Sequence, residues 1–166
     1  MDLGFHGRVE KMTLKSIILE DFVNYKVPSM FLIFPHCSMK CCWEAGENIC
    51  QNSELAQAPE RNYLISDIVR NYRFNDITKA VVFGGLEPFD SYEEMIDLIR
   101  HLREYVNDDI VIYTGYNEDE VDLTELKNYP NIIIKFGRFI PNRPHRHDEV
   151  LGVELSSDNQ YARKIS

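Results

Sequence analysis

No apolar run in this 166-residue chain approaches the roughly 18 to 20 residues that cross a bilayer, so a membrane-spanning helix is not expected. Basic residues are the minority: 18 Lys and Arg face 27 Asp and Glu, a formal net charge of −9. That balance argues against nonspecific binding to nucleic acid, which draws on a basic surface. Internal repeats, low-complexity tracts and linkers rich in Gly, Pro or Ser are missing, and one domain over residues 1–166 is the expectation. The first ten residues carry charges where a signal peptide would have an apolar core, so a cytoplasmic location is expected. Cysteines number only four, and in a reducing compartment they read as thiols or metal ligands and not as disulfides.

What the chain does have is unevenly placed. Residues 86–126 hold thirteen Asp and Glu against Arg100 and Arg103. Residues 135–166 are mildly basic, with Arg138, Arg143, Arg146, Arg163 and Lys164 joined by His145 and His147. For most of these charges a solvated surface is the plain reading. Four short apolar runs, 30–34, 80–83, 110–113 and 132–136, are nearly continuous, as strands buried on both faces are. Between them Leu64, Ile65, Ile68, Val69 and Tyr72 recur at helical spacing, as do Tyr92, Met95, Ile96, Ile99, Leu102 and Val106. A Ser91-x-x-Glu94 capping box is expected to open the second helix, and 118–128 reads as a third, weaker one. A strand is expected over 14–22 and a short final one near 161–165. Strands alternating with helices imply a parallel sheet.

The unusual residues follow the apolar runs: His36 and Cys37, Gly84 and Gly85, Thr114 and Gly115, Gly137 and Arg138. In parallel α/β folds the carboxyl ends of the strands carry the ligand loops, so four such turns would meet at one mouth. All four cysteines, Cys37, Cys41, Cys42 and Cys50, lie within fourteen residues on the first of these loops. That crowding points to a soft metal centre, an iron-sulfur cluster ahead of a closed zinc site, because adjacent Cys41 and Cys42 lack the two-residue spacer of zinc knuckles. Burial of cysteine as a small hydrophobe is the competing reading.

Cys37-x3-Cys41, Gly84-Gly85-Leu86-Glu87-Pro88, Tyr113-Thr114-Gly115-Tyr116 and Gly137-Arg138-Phe139, each after its strand, resemble the radical S-adenosylmethionine superfamily. Within it the chain is similar to the small activating proteins of anaerobic ribonucleotide reductase, from about Ser16 to Ile165, including the tail at 151–160. Two positions depart from that pattern. The usual Cys-x3-Cys-x2-Cys has Glu44 in place of its third thiol, and Leu86 is inserted into what is commonly Gly-Gly-Glu-Pro. Cys50 is the next available thiol, giving Cys-x3-Cys-x8-Cys as in a branch of activase-like proteins with a lengthened loop. The resemblance thus implies Cys37, Cys41 and Cys50 as ligands, with adjacent Cys42 as an alternative to Cys41.

The resemblance further implies an incomplete, open (β/α) barrel of four or five parallel strands. It would carry one 4Fe-4S cluster whose open iron chelates S-adenosylmethionine and cleaves it reductively to a 5′-deoxyadenosyl radical. Gly84 and Gly85 would admit the methionine moiety, Glu87 would accept from its ammonium, Thr114 would line the ribose or adenine pocket, and Trp43 would hydrogen-bond the cluster. A strand-ending turn for the glycines and a helix-start acid for Glu87 are the competing structural readings. His36 reads more readily as a structural hydrogen-bonding side chain than as a tuner of the cluster. The implied partners are a glycyl radical enzyme, the large subunit of anaerobic ribonucleotide reductase first, and a reductant such as flavodoxin or ferredoxin. The alternatives are a small radical enzyme acting on a peptide or small molecule, and a noncatalytic iron-sulfur binding module.

Overall fold

The computed structural model describes residues 10–47 and 53–166, with the backbone alone at Lys40, Cys41 and Ser53. The four apolar runs form β3 (Ser29–Phe34), β5 (Ala80–Gly85), β6 (Asp109–Tyr113) and β7 (Ile132–Phe136), paired parallel in chain order. Two further strands complete a six-stranded sheet. β2 (Ser16–Asp21) lies antiparallel on β3, and β10 (Tyr161–Lys164) lies antiparallel on β7, giving the order β10-β7-β6-β5-β3-β2. The fold is therefore mixed α/β around a mostly parallel sheet with four parallel strands at its centre. No helix among the described residues is long and apolar enough to cross a membrane.

The runs are continuous because both faces are covered. Met30, Leu32, Phe34, Phe83, Ile112 and Ile134 join one apolar cluster with helix α3 (Ile65–Arg73) and helix α4 (Tyr92–Arg103). α3 contributes Ile65, Ile68, Val69 and Tyr72, the i, i+3, i+4, i+7 face of an amphipathic helix, with Asp67 in its first turn and Arg70 and Arg73 in its last. Val82, Val111 and Ile133 point the other way and pack with Tyr25, Leu151 and Leu155 from the β2–β3 connection and the chain's tail. Each buried aliphatic side chain of this kind stabilises the fold by about 1.5 to 3 kcal/mol relative to exposure.

Several local expectations need correction. Leu64 does not belong to the helical stripe: it ends β4 (Arg61–Leu64), paired antiparallel with β1 (Lys11–Leu14), and is exposed. The Ser91-x-x-Glu94 capping box does not form, because Glu94 Oε2 instead accepts from the amide of Thr13 on β1 at 3.0 Å. A 3₁₀ turn, Pro88–Ser91, leads into α4 in its place. The expected helix over 118–128 consists of two 3₁₀ turns, Glu118–Glu120 and Leu126–Asn128. The expected single strand over 14–22 is split between β1 and β2. A tail hairpin, β8 (Arg146–Asp148) with β9 (Val153–Leu155), was not expected.

Candidate functional site

The pairing of the parallel strands continues into the loops at their carboxyl ends. The amides of Leu86 and Glu87 donate to the carbonyls of Phe34 and His36 at 3.2 and 2.7 Å, zipping the loop after β5 to the loop after β3. Thr114 N–H donates to Lys135 and Gly137 N–H to Tyr116, at 2.9 and 3.0 Å, which does the same for the loops after β6 and β7. These four loops frame a cavity of about 450 Å³, within the range of small-molecule sites. Cys37, Gly84, Gly85, Glu87, Thr114 and Arg138 all line it.

Glu87 joins the two halves. Its carboxylate accepts from Thr114 Oγ1 at 2.9 and 3.0 Å, from Gly115 N–H at 2.8 Å and from Phe89 N–H at 3.0 Å. Those donors favour the charged form, yet burial outweighs them and pushes the Glu87 carboxyl up to about 7. No lysine, arginine or histidine among the described residues pairs with it, so a cationic ligand group in the cavity would supply the charge it lacks.

The glycines answer first to the neighbouring strand. A Cβ on Gly84 would lie 2.8 Å from Phe31 Cζ, and one on Gly85, at φ +80°, would lie 2.6 Å from Ile33 Cγ2. The space beside both is thus filled by β3, and the cavity receives their bare backbone. Thr114 is buried and turned to Glu87, and its hydroxyl oxygen also accepts from Tyr116 N–H at 3.0 Å.

After β3 the chain reverses at Met39, in the left-handed conformation with φ 58° and ψ 30°, and enters α1 (Lys40–Ala45). The Met39 amide donates to Cys37 Sγ at 3.3 Å. Cys41 lies on α1 by its backbone, and its side chain falls outside the described residues, as does the whole of Cys50. Cys42 is half-buried on the same helix and Trp43 is 80 % exposed, outside the cavity lining. Glu44 carries α1 to the far wall, where Arg138 holds Glu44 at 3.1 Å and Glu120 at 2.5 Å. The tail clamps that wall in turn: Asn159 Nδ2 donates to the Arg138 carbonyl at 2.8 Å and Gln160 Nε2 to the Gly137 carbonyl at 3.2 Å. His36 stands exposed, 3.9 Å from Glu60, and His147 lies 3.8 Å from Glu149, both away from the cavity lining.

A cysteine thiol stabilised by an amide, on a loop with a further cysteine in its next turn, is a donor set suited to a thiolate-bound iron-sulfur cluster. Comparison of the sequence with known families agrees, the pattern of the 4Fe-4S single cluster domain matching residues 28–161. The chain belongs to the 4Fe-4S single cluster domain family. The match is of radical S-adenosylmethionine type and takes in the four parallel strands β3, β5, β6 and β7 and most of the cavity lining. No curated protein and no solved structure matches this 4Fe-4S domain. Among the described residues, which do not include the side chain of Cys41 or any of Cys50, no three His, Cys, Asp or Glu side chains gather as a metal site.

Sequence reasoning missed two residues of the site. Lys135 is buried in the cavity lining with its ammonium on the Gly137 carbonyl at 3.1 Å, and it was legible as the one charge inside the run 132–136. Asp90 bridges two loops, accepting from Ser38 N–H and Tyr116 Oη, and nothing in the sequence marks it.

Proposed function

We propose that this chain is an activase that uses a 4Fe-4S cluster and S-adenosylmethionine to abstract hydrogen from a backbone glycine of a partner enzyme. The partner proposed is the large subunit of anaerobic ribonucleotide reductase. The observation that carries the reading is that Cys37 and the buried, unneutralised carboxylate of Glu87 line one cavity at the carboxyl ends of the parallel strands.

Cys37, Cys41 and Cys50 would hold the cluster, leaving one iron open. When bound, the cluster supplies one electron, drawn from a reductant such as flavodoxin or ferredoxin, for reductive cleavage of the sulfonium to methionine and a 5′-deoxyadenosyl radical. Every other contribution belongs to the protein. Glu87 accepts from the methionine ammonium, and its raised carboxyl gives up its proton as that cation arrives. Thr114 and Gly115 fix the orientation of Glu87, and Gly84 and Gly85 present backbone to the ligand. Trp43 is exposed and outside the cavity lining, so its indole N–H would reach the cluster sulfurs and tune the potential only by turning inward.

The sheet is read as an incomplete, open (β/α) barrel whose missing wall the partner completes. Phe22 and Val23, 65 % and 75 % exposed, support this, since Val23 stands in the cavity lining and an apolar rim suits a protein partner.

The test is anaerobic reconstitution with iron and sulfide, reduction with dithionite, and chromatography for 5′-deoxyadenosine after S-adenosylmethionine is added. Product is expected from the parent chain and from Cys42→Ala, and none from Cys50→Ala. Co-expression with the reductase large subunit should then give a glycyl radical doublet by electron paramagnetic resonance. A fully loaded cluster that yields no 5′-deoxyadenosine, alone or with the partner, would favour a noncatalytic binding module. Cleavage without a glycyl radical would favour a peptide or small-molecule substrate.

A further inference from the structure

We propose that Asp90 is the positioning residue of the 37–41 turn, holding that turn in the strained form that sets Cys37 Sγ on the Met39 amide. The inference rests on the reading of Cys37 and Cys41 as cluster ligands and adds the device that shapes their loop. Asp90 lies in the 3₁₀ turn after Glu87, whose own side chain caps that turn through Phe89 N–H at 3.0 Å. One carboxylate oxygen of Asp90 accepts from Ser38 N–H at 2.8 Å and the other from Tyr116 Oη at 2.6 Å. A side chain of the β5 loop thereby ties the β3 loop to the β6 loop, using charge-assisted bonds, the stronger kind.

The tether falls where the turn needs it. Met39 occupies the left-handed region at φ 58°, which a residue with a Cβ adopts at a cost and keeps only where its surroundings hold it. Its amide donates to Cys37 Sγ at 3.3 Å, and its carbonyl accepts from Cys42 and Trp43 at 3.0 and 3.1 Å, starting α1. The reversal at Met39 therefore turns the chain between Cys37 and the helix that carries Cys41. Ser38 is the residue before that reversal, and Asp90 is what fixes its amide. Tyr116 holds Asp90 in place from the other side, and the bond to Asp90 is the leading cause of the raised pKa of its phenol. Gly137 N–H on the Tyr116 carbonyl extends the chain of contacts to β7.

Amide exchange on the 15N-labelled, iron-free full chain reads the tether directly. Asp90→Ala should speed exchange at Ser38 about tenfold or more, while amides of β5, β6 and β7 keep their protection and so exclude unfolding. Asp90→Asn, which keeps one accepting oxygen, and Tyr116→Phe, which removes the support, should give smaller increases. After reconstitution, Asp90→Ala should hold less iron per chain and show a broadened or split spectrum of the reduced cluster, with Asn between it and the parent. Unchanged Ser38 exchange in Asp90→Ala would overturn the proposal, as would a parent-like spectrum and iron content in that variant while Cys37→Ser loses the cluster. Retention of the cluster by Cys37→Ser would instead overturn the ligand reading beneath it.

Discussion

Thr114 Oγ1 lies 2.9 and 3.0 Å from the two carboxylate oxygens of Glu87, so one hydroxyl spans a buried acid that carries the β5 loop across to β6. The acid's protonation is linked to folding. Burial raises the Glu87 carboxyl from 4.5 to about 7, so the folded chain holds this proton more tightly than the unfolded one. Its stabilising contribution is full below about pH 4.5, falls as the pH rises towards 7 and is gone above that. The span corresponds to about 3 kcal/mol at most. Urea unfolding of the iron-free chain at pH 5 and pH 8 should show the parent losing stability relative to Glu87→Gln as the pH rises. A constant difference between the two would rule the linkage out.

The clasp can be dissected at its other end. Thr114→Val keeps the shape but removes a donor from Glu87 and the acceptor of Tyr116 N–H, at a cost of about 2 kcal/mol, the usual range for stranding buried polar groups. Thr114→Ser keeps both bonds and should cost less than about 1 kcal/mol. Valine should also raise the Glu87 carboxyl further and, under the proposed function, weaken S-adenosylmethionine binding to the reconstituted protein, read by calorimetry as a larger proton release near pH 7. Equal stability of the Val and Ser variants would show that the hydroxyl does not matter.

This pattern of contacts marks what a sequence can reveal. The four parallel strands were legible because 30–34, 80–83, 110–113 and 132–136 are apolar on both faces, and only strands covered on both sides need that. Their loops, and hence Cys37, Gly84, Gly85, Glu87 and Thr114 as one neighbourhood, followed from the topology. The capping box misled because Glu94 is claimed by Thr13, 81 residues away, and local pairing rules do not see such a competitor. Asp90 was hidden for the same reason. Its partners Ser38 and Tyr116 stand 52 and 26 residues off, and an aspartate after Pro-Phe otherwise looks like an ordinary turn residue.

The two glycines should differ sharply on substitution. A Cβ at Gly85 meets Ile33 Cγ2 at 2.6 Å, Ile33 Cα at 3.0 Å and Phe34 N at 3.1 Å, and φ +80° adds backbone strain. Since backbone cannot step aside, Gly85→Ala should destabilise by about 3 kcal/mol. At Gly84 the obstacle is the tip of the Phe31 ring at 2.8 Å, which can swing, so Gly84→Ala should cost about 1 kcal/mol. Adding Phe31→Leu should recover part of the loss at Gly84 and none at Gly85. Denaturation midpoints of the four variants decide this, and equal losses at the two glycines would contradict it.

Arg138 supplies the last test, because it couples the cysteine helix to the opposite wall. Its guanidinium is buried between Glu44 on α1 at 3.1 Å and Glu120 at 2.5 Å. Arg138→Gln leaves the partly buried Glu120 without its cation and should cost about 2 kcal/mol, less than the 3 to 5 typical of fully buried pairs. Lysine offers a point charge in place of a fork and can serve one carboxylate well but not both, so Arg138→Lys should recover about half. Glu44 is half exposed, so Glu44→Gln should leave global stability within about 0.5 kcal/mol. It removes the same tether from α1, however. Limited proteolysis should therefore find faster cleavage near 40–47 in both Glu44→Gln and Arg138→Gln, although only the second lowers the unfolding midpoint. Protection of α1 in both would mean that the helix is held by other contacts and that Arg138 serves the far wall alone.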